Sequence, residues 1–139
     1  MWLLDGGEAV SVWLPPGGTE LSHEQEHELE AFTGRLPEAC ATRFTTLIER
    51  FETNRPMDRP HHYLSLLATH PEHRGHGYGM QLLAEDLARI DARGEASYLE
   101  STNPGNLARY GAQGFVTVGA FDVPDGGVIT TMWRDAVTA

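Results

Sequence analysis

The chain has 139 residues, 40% hydrophobic and 22% charged, which is the length of one domain and an ordinary globular mixture, so disordered and collagen-like chains are excluded. Twenty acidic against ten basic residues give a formal net charge of -10, and a surface of that sign repels phosphate backbones and anionic lipid, which argues against nucleic acid or membrane as a principal partner and favours a cationic small molecule. Every basic residue is arginine, so lysine-nucleophile and Schiff-base chemistry are excluded.

Residues 2–4 and 8–14 read as short strands joined by the turn Asp5-Gly6-Gly7 and closed by Pro15-Pro16-Gly17-Gly18, a hairpin over residues 1–18. Over residues 19–55 the period becomes helical. Leu21, Leu29 and Phe32 mark an acidic first helix, and Phe44, Leu47, Ile48 and Phe51 at i, i+3, i+4 and i+7 mark a second, with Gly34 and Pro37 between them. Cys40 is the only cysteine, which excludes an internal disulfide; it is expected as a small buried hydrophobe in a reducing compartment. Residues 1–10 carry no signal-peptide pattern and no run reaches about 18 apolar residues, so a cytoplasmic protein without a membrane span is expected.

The prolines of residues 55–60 break the second helix, and residues 61–69 are apolar enough for a central strand. After a loop at 70–77, Leu83, Leu87 and Ile90 repeat at helical spacing until Gly94, and 97–100 form a short strand. That strand-helix-strand unit normally joins parallel strands by a right-handed crossover. Residues 103–113 read as a helix stopped by Gly114, and 115–121 with 128–133 flank Pro124-Asp125-Gly126-Gly127 as a terminal hairpin. The expectation is a single α/β domain over 1–139, a mixed sheet with helices on its faces.

The sharpest local feature is Arg74-Gly75-His76-Gly77-Tyr78-Gly79, which follows a strand and opens a helix. Glycines let the backbone approach a ligand closely, and successive amide N–H groups at a helix start favour a phosphate or pyrophosphate. There is no Gly-Lys-Ser/Thr ending, which excludes an ordinary P-loop, and the motif lies too far along the chain for a dinucleotide fold.

The run Leu66-Leu67-Ala68-Thr69-His70-Pro71-Glu72-His73-Arg74-Gly75-His76-Gly77-Tyr78-Gly79-Met80 resembles the acetyl-CoA signature of the GNAT superfamily of N-acetyltransferases, whose core is Arg/Gln-x-x-Gly-x-Gly/Ala. A second block, Asn103 through Asn106 and Tyr110 to Gly114-Phe115, is similar to the family's Asn-x-x-x-Tyr-x-x-x-Gly-Phe element. The likeness covers residues 61–134, and Trp13-Leu14-Pro15-Pro16-Gly17 more loosely resembles a bacterial subgroup with a helical pair before the central strand. The resemblance implies a GNAT-like sheet, with residues 61–139 as the acetyl-CoA-binding core, and direct transfer of acetyl from acetyl-CoA to an amine. It further implies that the backbone of Leu67, Ala68 and Thr69 pairs with the pantetheine arm, Leu67 N–H polarising the thioester. Arg74, Gly75, His76, Gly77, Tyr78, Gly79 and Met80 would cradle the pyrophosphate, Asn106 would bond the cofactor and Tyr110 would act as general acid. For the base, Glu100, His62 and Tyr63 are the candidates, and the sequence does not choose among them.

Relative to the family, a leading strand and helix pair are expected to be missing, which would leave a sheet edge for a second copy meeting through Trp2, Leu4, Val10 or Val12. The implied partners are therefore a small-molecule amine and a homodimer mate, without nucleic acid or membrane. Two other classes compete with the enzyme. One is a catalytically degenerate GNAT-like binding or assembly module. The other is a zinc hydrolase on His23-Glu24-Gln25-Glu26-His27, although Glu26 and Glu28 make that segment read as a solvated acidic face. His70, His73 and His76 likewise read as solvent-facing, and no metal is expected.

Overall fold

The computed structural model describes residues 2–4, 6–18, 21–124 and 126–137. Asp5 and Asp125 of the two expected turns, and Thr19 at the expected start of the helical stretch, lie outside the described residues. The elements in order are β1 (Trp2–Leu3), β2 (Ala9–Leu14), α1 (His23–Thr33), α2 (Glu38–Asn54), β3 (His62–Thr69), α3 (Tyr78–Asp91), β4 (Ser97–Ser101), α4 (Leu107–Ala112), β5 (Val116–Asp122) and β6 (Val128–Arg134). They form one six-stranded sheet of order β1-β2-β3-β4-β6-β5, antiparallel throughout except for the parallel β3–β4 pair. The expected helix over 103–113 is split: Pro104–Asn106 is a 3-10 turn, because proline at its start suits a tight turn, and the α-helix proper begins at Leu107.

One face of the sheet carries the core. Leu64, Leu99, Phe115 and Met132 meet Leu83, Leu87 and Ile90 of α3, and a smaller cluster joins Leu4 and Ala9 to Leu82. Leu4, one of the residues expected at a dimer surface, is buried within its own chain. On the same helix, wholly buried Asp86 interrupts the apolar stripe. Its Oδ2 accepts from Ser11 Oγ (2.5 Å) and Trp13 Nε1 (3.0 Å), and its Oδ1 from Arg89 (3.1 Å). A carboxylate out of water costs several kcal/mol unless it is paired and hydrogen-bonded, so the three donors keep Asp86 tolerable and tie α3 to β2 at one orientation.

The other face is covered lightly. Ser22 and Gln25 close a reciprocal capping box at the start of α1, yet neither α1 nor α2 has a fully buried residue, and Phe32 stays 55% exposed. Cys40, expected inside, is exposed: it lies on the same side of α2 as Phe44, Leu47 and Phe51, but in the first turn of the helix, where that side is left uncovered. That helix touches the sheet through the edge contact of Phe51 with Phe121 (5.3 Å) and through Arg50, which donates to the Asp122 carbonyl. No helix among the described residues is long and apolar enough to cross a membrane.

At the foot of β3, buried His61 lies between the rings of Tyr98 (5.5 Å) and Trp133 (5.4 Å). Its Nδ1 is 2.8 Å from the Arg59 carbonyl and must carry the proton, leaving Nε2 to accept from Arg55 Nε at 3.2 Å. Burial lowers the His61 pKa, against the pull of the Arg59 carbonyl, and the charges of Arg55 and Arg59 lower it further. The unfolded chain, titrating near about 6.5, then binds more protons than the folded one just below that pH, so stability falls as pH drops through the window. Melting temperatures from about pH 7.5 to about 5 should show this loss, and a His61→Asn variant should flatten it. An equal slope in both proteins would remove His61 as its source.

Candidate functional site

β3 and β4 pair only at His62↔Ser97 and Tyr63↔Tyr98 among the described residues. Beyond that rung the strands part. The pairing with β2 explains how: Trp13 faces Leu64 and Val12 faces Leu66, so Ser65 is an extra residue in β3, a bulge that bends the strand. The bulge also shifts the alternation of side chains, so that Leu64 and Leu67 both pack toward α3 while Leu66 is left exposed. From Leu64 onward the β4-facing edge of β3 has no strand hydrogen-bonded to it.

A cleft of about 620 Å³ opens at this parting, within the size range of small-ligand sites. Leu67, Ala68 and Thr69 of β3 form its floor, Arg74, Gly75, Gly77, Tyr78, Gly79 and Met80 one wall, and Asn106, Arg109 and Tyr110 of the α4 region the facing wall. Gly75 and Gly77 have positive φ of 83° and 76°, the left-handed region that costs other residues about 1–2 kcal/mol. Gly77 is the cap from which α3 starts. Gly79 has a different reason to be glycine: a Cβ there would lie 3.1 Å from Thr69 Oγ1, so helix and strand approach only without it.

The sequence-derived cofactor residues line one cleft, except that the ring of His76, between the lining residues Gly75 and Gly77, is exposed and not among them. Its ring stands beside Tyr78 (5.5 Å), at the end of a row that runs from His70 through His73 and Tyr78. Burial raises the Tyr110 pKa, so the phenol keeps its proton at neutral pH; its ring packs at 6.2 Å from Phe115.

On the opposite face, two residues past the last β3–β4 rung, stands Glu100. Tyr63 OH donates to its Oε1 and Tyr98 OH to its Oε2 (3.1 Å), and the two tyrosine rings stack at 5.7 Å. Burial, then the charge and hydrogen bond of Glu100, push the Tyr98 hydroxyl pKa far above the usual range. Arg55 lies over the Tyr63 ring at 4.5 Å. Of the three candidate bases, Glu100 and Tyr63 are thus in one cluster, but His62 is not. It is buried and held by Glu95 (2.8 Å), away from the parting. His23 and His27 sit on exposed α1, and no group of three His, Cys, Asp or Glu among the described residues is placed to hold a metal ion.

Asp86, Tyr98 and Arg109 were not singled out from sequence. Tyr98 had a signal, since residues two apart on a strand share a face and Tyr98 and Glu100 are so spaced. Asp86 also had one, as the single acid on the apolar stripe of its helix.

The profile of the acetyltransferase (GNAT) family matches residues 18–115. The chain belongs to that family. A solved structure from Corynebacterium glutamicum, described as histone acetyltransferase HPA2 and related acetyltransferase, is 26% identical at a TM-score of 0.67 and matches 99% of this chain. This GNAT chain spans 63% of that protein's length. Arylalkylamine N-acetyltransferase 2 from Aedes aegypti shares the fold at 15% identity and a TM-score of 0.64, over 97% of this chain and 71% of its own. The NatC complex bound to Gag peptide and CoA shares it at 20% identity and 0.51, over 57% of this chain and 53% of its own.

Proposed function

We propose that the protein transfers acetyl from acetyl-CoA directly to the amine of a small molecule or peptide. The observation that carries this reading is the gap between β3 and β4: the cleft on one face of the sheet has arginine as its only charged lining, and a carboxylate, Glu100, stands on the other face past the last rung. An anionic nucleotide and an ammonium would be drawn to opposite sides of the same opening.

The residues present fit acetyl-CoA. The free edge of β3 offers the backbone groups of Leu67 and Thr69 to an extended pantetheine arm, as though to an added strand, while those of Ala68 between them face β2. Amides of residues 75–80 at the start of α3 suit a diphosphate. Acetyl-CoA supplies a thioester, whose acyl carbon is open to attack by a neutral amine. The Leu67 N–H donates toward the carbonyl oxygen, where negative charge develops. Glu100, directly or through a water, takes the proton that an amine must lose. Tyr110 donates toward the sulfur. Because burial raises its pKa above an ordinary tyrosine near about 10, while a thiol titrates near about 8.5, complete proton transfer from Tyr110 is uphill. Its contribution is a hydrogen bond that steadies the thiolate until the sulfur gains a proton in exchange for the one the amine gave up.

Calorimetry with acetyl-CoA, followed by CoA release in the presence of an amine panel, tests the proposal. Absence of binding at millimolar acetyl-CoA would end the enzyme reading, and binding without release across the panel would favour a binding module. Gly77→Val should weaken CoA more than about tenfold while costing about 1–2 kcal/mol of stability, since a branched residue is strained at that φ. Normal CoA affinity in that variant would misplace the phosphate cradle. Tyr110→Phe should lower kcat by about 10- to 100-fold with CoA affinity nearly unchanged; an unaltered kcat would leave Tyr110 a packing residue.

A further inference from the structure

We propose that the acceptor is an amine that also carries a carboxylate, an amino acid, whose acid group Arg55 grips while its ammonium meets Glu100. This rests on the acetyl-transfer reading above and names its substrate class. The charge of the whole chain favours a cation, but the groups on the Glu100 side are of both signs. Arg55 ends α2, and the Asn54 carbonyl before it lies 3.5 Å from the Tyr98 hydroxyl that donates to Glu100. The Arg55 guanidinium lies 4.5 Å over the ring of Tyr63, whose hydroxyl donates to the same carboxylate. Guanidinium and carboxylate therefore stand at one tyrosine, on the face of the sheet opposite the cofactor cleft.

Arg55 is also held in place. Its Nε donates to Nε2 of His61 at 3.2 Å, and His61 is itself fixed by the Arg59 carbonyl. That bond uses one of five donors on a neutral ring, so it leaves the charge uncompensated. The two terminal nitrogens make no hydrogen bond or ion pair among the described residues, and such a fork fits a carboxylate through two parallel bonds. Arg59, on the same face, lies over Trp133 at 3.8 Å, beyond His61. An amino acid has no net charge, so a chain of net charge -10 does not repel it. In the reaction its ammonium loses one proton to solvent by way of Glu100, the nitrogen bonds the acetyl carbon as the carbon–sulfur bond breaks, and a second nitrogen proton passes to the sulfur. The N-acetyl product keeps its carboxylate and has lost the ammonium, so the acidic field that tolerated the substrate favours release of the product.

CoA release tests this, measured on wild type, Arg55→Gln, Arg55→Lys and Arg59→Gln with matched sets of an amino acid, its carboxamide and the amine left by its decarboxylation, the sets spanning apolar, polar and charged side chains. Wild type and Arg59→Gln should prefer the acid of at least one set over its two partners by roughly tenfold in kcat/KM. Arg55→Gln should lose that preference by slowing on the acid alone. Arg55→Lys, which keeps the charge without the fork, should retain part of it, and carries the comparison with wild type if Arg55→Gln does not fold. Acid-free amines turned over by wild type as fast as the acids, a preference unchanged in either Arg55 variant or lost in Arg59→Gln, or equal slowing of a whole set in Arg55→Gln would overturn the assignment while leaving acetyl transfer standing. No CoA release from any amine would overturn both.

Discussion

The site depends on two strands that stop pairing. β3 and β4 are parallel neighbours for two residues, and the bulge at Ser65 then turns β3 away before the sheet can close. A fully paired β3 would bury its backbone groups in ladder hydrogen bonds and leave nothing to meet a ligand. The bulge leaves an open edge and rotates Leu67 and Thr69 toward α3, where Thr69 meets Gly79. Strand, glycine loop and helix start are thereby joined at the position where the strands separate.

An open edge is useful only if the wall beside it stays in place, and here a buried carboxylate contributes. Asp86 lies two turns into α3, whose first turn forms the phosphate-facing wall. Its bonds run to Ser11 and Trp13 of β2, the strand that pairs with β3. An apolar residue at this position would pack without the desolvation cost but would accept from neither donor, leaving the Ser11 hydroxyl and the Trp13 indole N–H without their bonds. Directional bonds between helix and sheet resist the sliding that apolar contact alone permits, and a displacement of about 1 Å is already enough to misplace reacting groups.

The order of elements and the cleft wall were legible because both are carried by consecutive residues. Gly75, Gly77 and Gly79 have their meaning in a single turn, and Tyr110 has its meaning four residues from Gly114. The bulge was not legible, since polar His61, His62, Ser65 and Thr69 do not alternate with the apolar residues between them, and without a regular alternation an extra residue leaves no mark. Cys40 failed because its spacing puts it on the apolar side of α2 with Phe44, Leu47 and Phe51, while nothing in the sequence tells how far toward the first turn that side is covered. Among the three candidate bases, Glu100 is held by Tyr98 of its own strand and by Tyr63 across the β3–β4 pair, and no register from which to foresee the second bond could be read from the sequence.

Charge distribution connects these features. With a net charge of -10, the average field of the chain opposes binding of any nucleotide, so affinity for one must come from short-range, local groups. The amides at the start of α3 and the two cleft arginines are such groups, since salt screens the distant surface carboxylates within about 8–10 Å and leaves close contacts intact. The same acidic field favours a cationic acceptor on the Glu100 side, where two tyrosine hydroxyls orient the carboxylate. Arg55, above Tyr63, partly offsets that attraction. On the proposed reading, an ammonium would have to come close enough for Glu100 to outweigh Arg55, so that selection of an amine would depend on its shape as well as its charge.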